Sequence, residues 1–218
     1  MIIPTKDEVV GIKNILPRVR KEWADEWLII DGNSKDGTVE EAKKLGFKVI
    51  QQKGKGLADA YRDGVSIANS ENVLFFSPDG NCEPENIVKL VQKMEGGKYD
   101  IVQISRKGHG GSSNDDTAIT SFGNRMFTFL VNVFFGGHFT DALYGFKIIK
   151  KKKFEELNLD GQSLTLEQQI CIKASKLGLK ICEIGGREPK RIGGKAKMKP
   201  LFTGYMLSKQ IIKEFIFW

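Results

Sequence analysis

Asp79, Gly80 and Asn81, with Glu83 just beyond, follow directly on an apolar run from Val73 to Phe76. A run of strand length that breaks into oxygen-bearing side chains delivers them to the C-terminal edge of a sheet, where α/β folds place their ligands. Hard divalent cations take such oxygens and commonly clamp a diphosphate. A second run, Trp27 to Ile30, ends the same way in Asp31-Gly32-Asn33-Ser34. Taken singly, each is an ordinary turn sequence. Two acid-tipped strands in one half of the chain point instead to a nucleoside-diphosphate site. Lys53-Gly54-Lys55-Gly56 precedes a helical stretch. Glycine there lets backbone approach phosphate and a helix start attracts anions, although an exposed lysine loop would look the same.

These residues need a sheet to hold them. Strand-like runs recur at residues 2–3, 27–30, 47–51, 73–77 and 100–104, with helical patterns at 8–22, 37–45, 56–69 and 84–95 between them. Asp36-Gly37-Thr38 followed by Glu40-Glu41 is a helix start with carboxylates near the positive end of the dipole. Pro84 opens the fourth helix in the first turn, where proline is favoured. Such alternation predicts an α/β fold with a largely parallel sheet covered on both faces. Beginning the first strand at Met1 leaves it very short, which predicts a partly buried N-terminus. After residue 105 the texture changes: a polar glycine-rich loop at 107–116, a Phe-rich helix at 119–135, a second polar glycine segment at 185–199 and a final helix at 201–218. The organisation predicted is one domain, with a nucleotide half at 1–106 and an acceptor half at 107–218.

The 218 residues suffice for one well-cored domain. With 40% hydrophobic and 28% charged residues the composition is that of a folded globular protein. A net charge of +7 favours anionic partners. Nucleic acid is disfavoured, because the basic residues form no recognition motif and no metal-finger spacing exists. Cys82, Cys171 and Cys182 are scattered and odd in number, which fits a reducing compartment. The start lacks the pattern of a signal peptide. The longest nearly apolar run, 127–137, is short of the roughly 20 residues a spanning helix needs. A cytoplasmic protein is expected, meeting membrane from its inner face if at all.

In order along the chain, IIPTKDE, IIDGNSKDGT, GKGLADAYRDG, SPDGN and a strand ending in Ser105-Arg106 resemble the family-2 glycosyltransferases of GT-A fold. TDALYGFK (140–147) and RIGGKAK (191–197) resemble two motifs of the dolichol-phosphate mannose synthase-like branch, which uses polyprenyl-phosphate acceptors. The resemblance implies a UDP- or GDP-linked sugar donor, inversion at the anomeric carbon and Mg²⁺ or Mn²⁺ as cofactor. It places Pro4 and Glu8 in the loop that contacts the nucleoside, with Lys6-Asp7 where the family has Tyr-Asn. Glu8 can equally be a helix-start carboxylate. Asp31 falls on the acid that accepts from the base, followed by Gly32 where a second Asp is common. Lys55 stands on the diphosphate side. Asp79, Asn81 and Glu83 fall on the metal site, with Asn81 in place of the second acid of the DxD motif.

On the acceptor side the resemblance puts Arg106, Asp141, Arg191 and Lys197, with Ala196 replacing the usual Ser. Two mechanisms remain open. A hydroxyl acceptor must lose its proton, and Glu167 is the candidate base, although the family's acidic position can equally be aligned to Gln169. A polyprenyl phosphate is already an anion and needs cations. The motif segments offer Arg106, Arg125, Lys147, Arg187, Arg191, Lys195 and Lys197, each of which could also be a solvated surface residue. Lys150 to Lys153 and the aromatic- and lysine-containing final helix suggest contact with a membrane surface, or a helix packed by its apolar side. A non-catalytic nucleotide-sugar-binding relative is the remaining alternative, because Gly32 and Asn81 replace acids.

Overall fold

The structure is a computed structural model that describes residues 1–193 and 199–217. The elements run β1 (Ile2–Thr5), α1 (Val9–Ile15), β2 (Leu28–Asp31), α2 (Thr38–Lys44), β3 (Lys48–Gln51), α3 (Gly56–Ile67), β4 (Asn72–Phe75), α4 (Asn86–Glu95) and β5 (Ile101–Ser105). There follow β6 (Ser112–Ser113), α5 (Ala118–Phe135), β7 (Lys147–Lys150), α6 (Lys151–Glu156), α7 (Leu164–Lys176), β8 (Ile181–Gly185), β9 (Arg187–Glu188) and α8 (Pro200–Ile216).

Seven strands form one sheet in the order β3-β2-β1-β4-β7-β5-β8. β7 runs antiparallel to both its neighbours, whereas the other pairings in this sheet are parallel. Strands from beyond residue 106 therefore complete the sheet begun by residues 1–106. Alternate residues face opposite sides, as the twofold strand period requires. Ile3, Ile29 and Leu74 pack with α1 and α4, and Ile2, Ile30 and Phe75 pack with α3 and α7. A third apolar cluster joins α5, α7 and α8 through Val131, Ile172 and Leu207. β6 and β9 make a separate two-stranded ladder.

The helix expected over 8–22 is shorter. It ends at Ile15, and two 3₁₀ turns follow at Leu16–Arg18 and Lys21–Trp23. Pro17 has no amide hydrogen to continue the ladder and its ring clashes with the preceding turn. Met1 is 7% exposed, in line with the short first strand. Three of the four lysines at 150–153 have partners, and Lys152 is exposed. Lys150 pairs with Asp100 at 3.0 Å, Lys151 donates to the Ala68 carbonyl at 2.7 Å, and Lys153 pairs with Glu156 at 2.7 Å.

Candidate active site

The loops after β1 and β2 are stitched together at the C-terminal edge of the sheet. The amides of Asp7, Glu8 and Val9 donate to Ser34 Oγ, Thr38 Oγ1 and Asp36 Oδ2, and Lys35 N donates back to Asp7 Oδ1. Asp7 and Asn33 both take positive φ, the reversal that turns each loop back across the strand ends. Pro4 lies within β1 opposite Ile30. Asp31, 1% exposed at the tip of β2, accepts from Thr5 Oγ1, Ser34 N and Ser34 Oγ. Gly32 sits in a tight space: a Cβ there would lie 3.3 Å from the Thr5 carbonyl and 3.2 Å from Gln52 Oε1, so those neighbours would have to shift slightly. Lys55 stands exposed at the start of α3, its amide held by Asp59 at 2.7 Å.

Asp79 lies beyond β4, 6% exposed. The close approach of α1 fixes its turn, because a Cβ on Gly11 would be 2.2 Å from the Pro78 carbonyl oxygen. Asn81 N donates to Asp79 Oδ1 at 3.0 Å, and Gly80 between them has φ +92°. Arg191 reaches this turn from the far end of the chain. Its Nη2 lies 2.6 Å from Asp79 Oδ2 and its Nη1 3.2 Å from Glu8 Oε1. Ile192 N donates to the Asp79 carbonyl at 3.0 Å. Glu8 is thus ion-paired beside Asp79, a role its helix-start position alone did not convey. Glu83 is half-buried in the turn leading to α4.

A divalent cation fits the chemistry here. Asn81 Oδ1 is buried with no hydrogen-bond partner among the described residues, and the neighbouring Asp79 carboxylate already attracts a guanidinium. No group of three or more His, Cys, Asp or Glu side chains among the described residues could hold a metal. The donors suit an ion that takes a few protein oxygens and completes its shell with diphosphate and water.

The region expected to meet the acceptor is a buried polar network. Arg106, at the end of β5, grips Asp141 through Nε at 2.7 Å and Nη2 at 3.1 Å, and Glu188 through Nη1 at 3.2 Å. Burial opposes ionisation of Asp141, but the charge and hydrogen bonds of Arg106 win and hold it below the usual carboxylate range. Asn124 of α5 donates to Asp141 Oδ1 at 2.9 Å, and Glu183 of β8 accepts from Thr140 N at 2.7 Å. Arg106 and Asp141, both expected on the acceptor side, hold each other there.

Glu167, the candidate base for a hydroxyl acceptor, lies in the interior. It is 1% exposed and ion-paired at 2.8 Å with Lys147, itself 0% exposed. Lys147 likewise presents no cation to an acceptor. Gly145 covers the pair; a Cβ there would sit 2.8 Å from Glu167 Oε1 and 3.0 Å from the Tyr61 hydroxyl. Lys197 lies outside the described residues, as does Lys195. Arg125 and Arg187 are exposed.

Tyr144 and Asp115 are among the residues that escaped the sequence reading. Tyr144 donates to the Asn81 carbonyl at 2.7 Å, and its ring lies 4.5 Å under the Arg106 guanidinium, so it ties the Asp79 turn to the acceptor network. Its place inside TDALYGFK was the available signal. Asp115, from the glycine-rich loop, accepts from Asn81 Nδ2 at 2.9 Å. No motif marked it.

The model of glycosyl transferase family 2 matches residues 1–158, most of the chain. The chain belongs to the family-2 glycosyltransferases. This glycosyltransferase is 25% identical over 216 residues to glycosyltransferase AglJ of Haloferax volcanii, covering 98% of this chain and 71% of that one. It is 24% identical to the UDP-N-acetylglucosamine–dolichyl-phosphate N-acetylglucosaminyltransferase of Methanococcus voltae, covering 96% and 88% of the two chains. Among solved structures it resembles glucosyl-3-phosphoglycerate synthase of Mycobacterium tuberculosis, crystallised with Mn²⁺ and UDP-glucose. The TM-score is 0.74 at 18% identity, over 98% of this chain and 76% of that one. That likeness establishes the GT-A fold. The glycosyltransferase draws on a nucleotide sugar, as its family does.

Proposed function

We propose that this glycosyltransferase moves a sugar, with inversion, from a UDP- or GDP-linked donor to a polyprenyl phosphate at the inner face of a membrane. The observation that carries the acceptor choice is the state of the carboxylates on that side. Asp141, Glu167 and Glu188 are each buried and held by Arg106 or Lys147. A hydroxyl acceptor needs a base to take its proton; a phosphate arrives ionised and needs only cations to place it. The dolichyl-phosphate relative from Methanococcus voltae agrees with this reading.

In the mechanism we propose, the loops carrying Pro4, Glu8 and Asp31 receive the nucleoside and Lys55 stands on the diphosphate side. Asp79, Asn81 and Glu83 would hold Mg²⁺ or Mn²⁺, which when bound offsets the charge of the departing diphosphate. Arg191 exchanges its carboxylate partners for phosphate oxygens and, with Lys197, orients the incoming acceptor oxygen behind the anomeric carbon. Arg106 and Asp141 act by positioning: with Tyr144 they keep the Asp79 turn in register with the acceptor side. Preorganised charge of this kind is usually the main source of acceleration.

Asp115 favours a second reading. It is exposed and reaches Asn81, and so could serve as base for a hydroxyl acceptor on a glycan, lipid or small metabolite. A thermal-shift screen of UDP- and GDP-sugars with and without Mn²⁺ or Mg²⁺, on wild type and Asp79→Ala, tests the donor site. A metal-dependent shift lost in Asp79→Ala is expected; no shift with any donor would sink the proposal. Transfer to a short polyprenyl phosphate by Asp115→Asn at near wild-type rate favours the phosphate acceptor. No transfer by wild type to the polyprenyl phosphate, with transfer to a hydroxyl acceptor that Asp115→Asn abolishes while donor binding is kept, favours the hydroxyl.

A further inference from the structure

An asparagine offers hydrogen bonds through its main-chain N–H and C=O and through its side-chain Oδ1 and Nδ2. At Asn81 the fold uses all of these but one. The main-chain N donates to Asp79 Oδ1 at 3.0 Å, the carbonyl accepts from the Tyr144 hydroxyl at 2.7 Å, and Nδ2 donates to Asp115 Oδ2 at 2.9 Å. Oδ1 is left over, buried and without a partner among the described residues. A buried amide oxygen in that state is costly unless a ligand meets it.

The two ends of an amide have nearly the same shape, so the neighbours decide which end faces where. An ionised carboxylate only accepts. Turning the Asn81 amide over would set its oxygen against the Asp115 carboxylate and leave Nδ2 in the buried position. Asp115 is exposed, yet it is held in place. Its amide donates to Ser113 Oγ at 3.3 Å, and Ser113 in turn donates to Glu188, which Arg106 grips. Next to it, Asn114 N donates to the Glu188 carbonyl at 2.8 Å, beside the β6–β9 ladder. Asp115 Oδ1 lies 3.4 Å from Arg191 N. A carboxylate carried by the glycine-rich loop thus has a fixed place against the Asp79 turn.

We propose that Asp115 is a positioning residue for the metal site: by accepting from Nδ2 it turns the Asn81 amide so that Oδ1, and not the nitrogen, faces the divalent cation. The proposal rests on the metal reading of the Asp79 turn given above. Hard cations take oxygen, whereas an amide nitrogen is a donor with nothing to offer them. A second acid at position 81 would need no such partner, because both of its oxygens can ligate. Asn81 and Asp115 are therefore a matched pair: an amide that replaces an acid, and an acid from a distant loop that orients the amide. Partners of this kind commonly fix how a ligand meets its metal. The role is the same for either acceptor, because it acts through Asn81 on the metal.

The test is calorimetric titration of the full chain with Mn²⁺, alone and in the presence of UDP or GDP. It compares wild type, Asp115→Ala, Asn81→Asp and the double variant. Asp115→Ala is expected to weaken Mn²⁺ binding about tenfold in the wild-type background, the lower end of the usual loss when a ligand's orienting partner is removed. In the Asn81→Asp background the same substitution should leave Mn²⁺ affinity unchanged or raise it. A carboxylate there has no wrong face to present, and it loses a like charge beside it. Unchanged melting temperatures show that the fold is intact. Equal loss in both backgrounds would overturn the proposal, because Asp115 would then act through its own charge, as a direct ligand or on the loop as a whole. Wild-type affinity in Asp115→Ala would overturn it too, while leaving the metal site standing. A wild type that binds neither Mn²⁺ nor Mg²⁺, alone or with nucleotide, would sink the metal reading itself and the proposal with it.

Discussion

At the scale of single residues, the site turns on charge around Asp79. Arg191 sits 2.6 Å from its Oδ2 and competes for the oxygen that a divalent cation would take. Arg191→Gln is therefore expected to raise Mn²⁺ affinity in the absence of donor, measured by titration calorimetry. It should also lower turnover by about a hundredfold, the usual loss for one preorganised charge at a transition state. A parallel loss of metal affinity would show that Arg191 does not compete. Asn81→Asp adds a second carboxylate and should also tighten Mn²⁺ binding, by the same titration. Asp79 and Asp31 were legible in the sequence because an apolar run interrupted by Asp-Gly marks a strand tip. Arg191 against Asp79 was not, because 112 residues separate the partners.

At the scale of elements, a few contacts hold loops of different strands in register. Asp141 links β5, α5 and the loop before β7 through Arg106 and Asn124. Asp141→Asn leaves the buried Arg106 guanidinium with Glu188 as its remaining charge partner and should destabilise the fold by about 3 kcal/mol near neutral pH. The pH dependence follows from the depressed native pKa of Asp141. Its contribution is complete above the unfolded carboxylate pKa near 4 and fades as pH falls through the native value. Denaturant unfolding of wild type and variant should therefore converge at low pH; a difference independent of pH would refute the ionised pair. Strand and helix positions were largely readable from periodicity. The end of α1 was misjudged because the helical pattern continued past Pro17, where the backbone could not.

At the scale of the whole molecule, Lys147 on β7 and Glu167 on α7 form a buried pair that joins the antiparallel strand to the helix behind it. Glu167→Ala should cost about 3–5 kcal/mol by stranding the lysine, whereas Lys147→Met with Glu167→Leu should recover most of that loss. Chemical denaturation of the three proteins decides. A Glu167→Ala enzyme of normal stability but without activity would restore the base role that its burial argues against.

The sequence by itself determined the α/β class, the positions of the acid-tipped strands and the family, because strand period, turn chemistry and motif order are local or sequential properties. Tertiary structure decided which of the candidate side chains are free to act. Glu167, Lys147, Arg106 and Asp141 look like catalytic or binding groups in the chain, yet the fold buries them against one another. A charge removed from water must find its opposite, and only the packed molecule determines which partner is within reach.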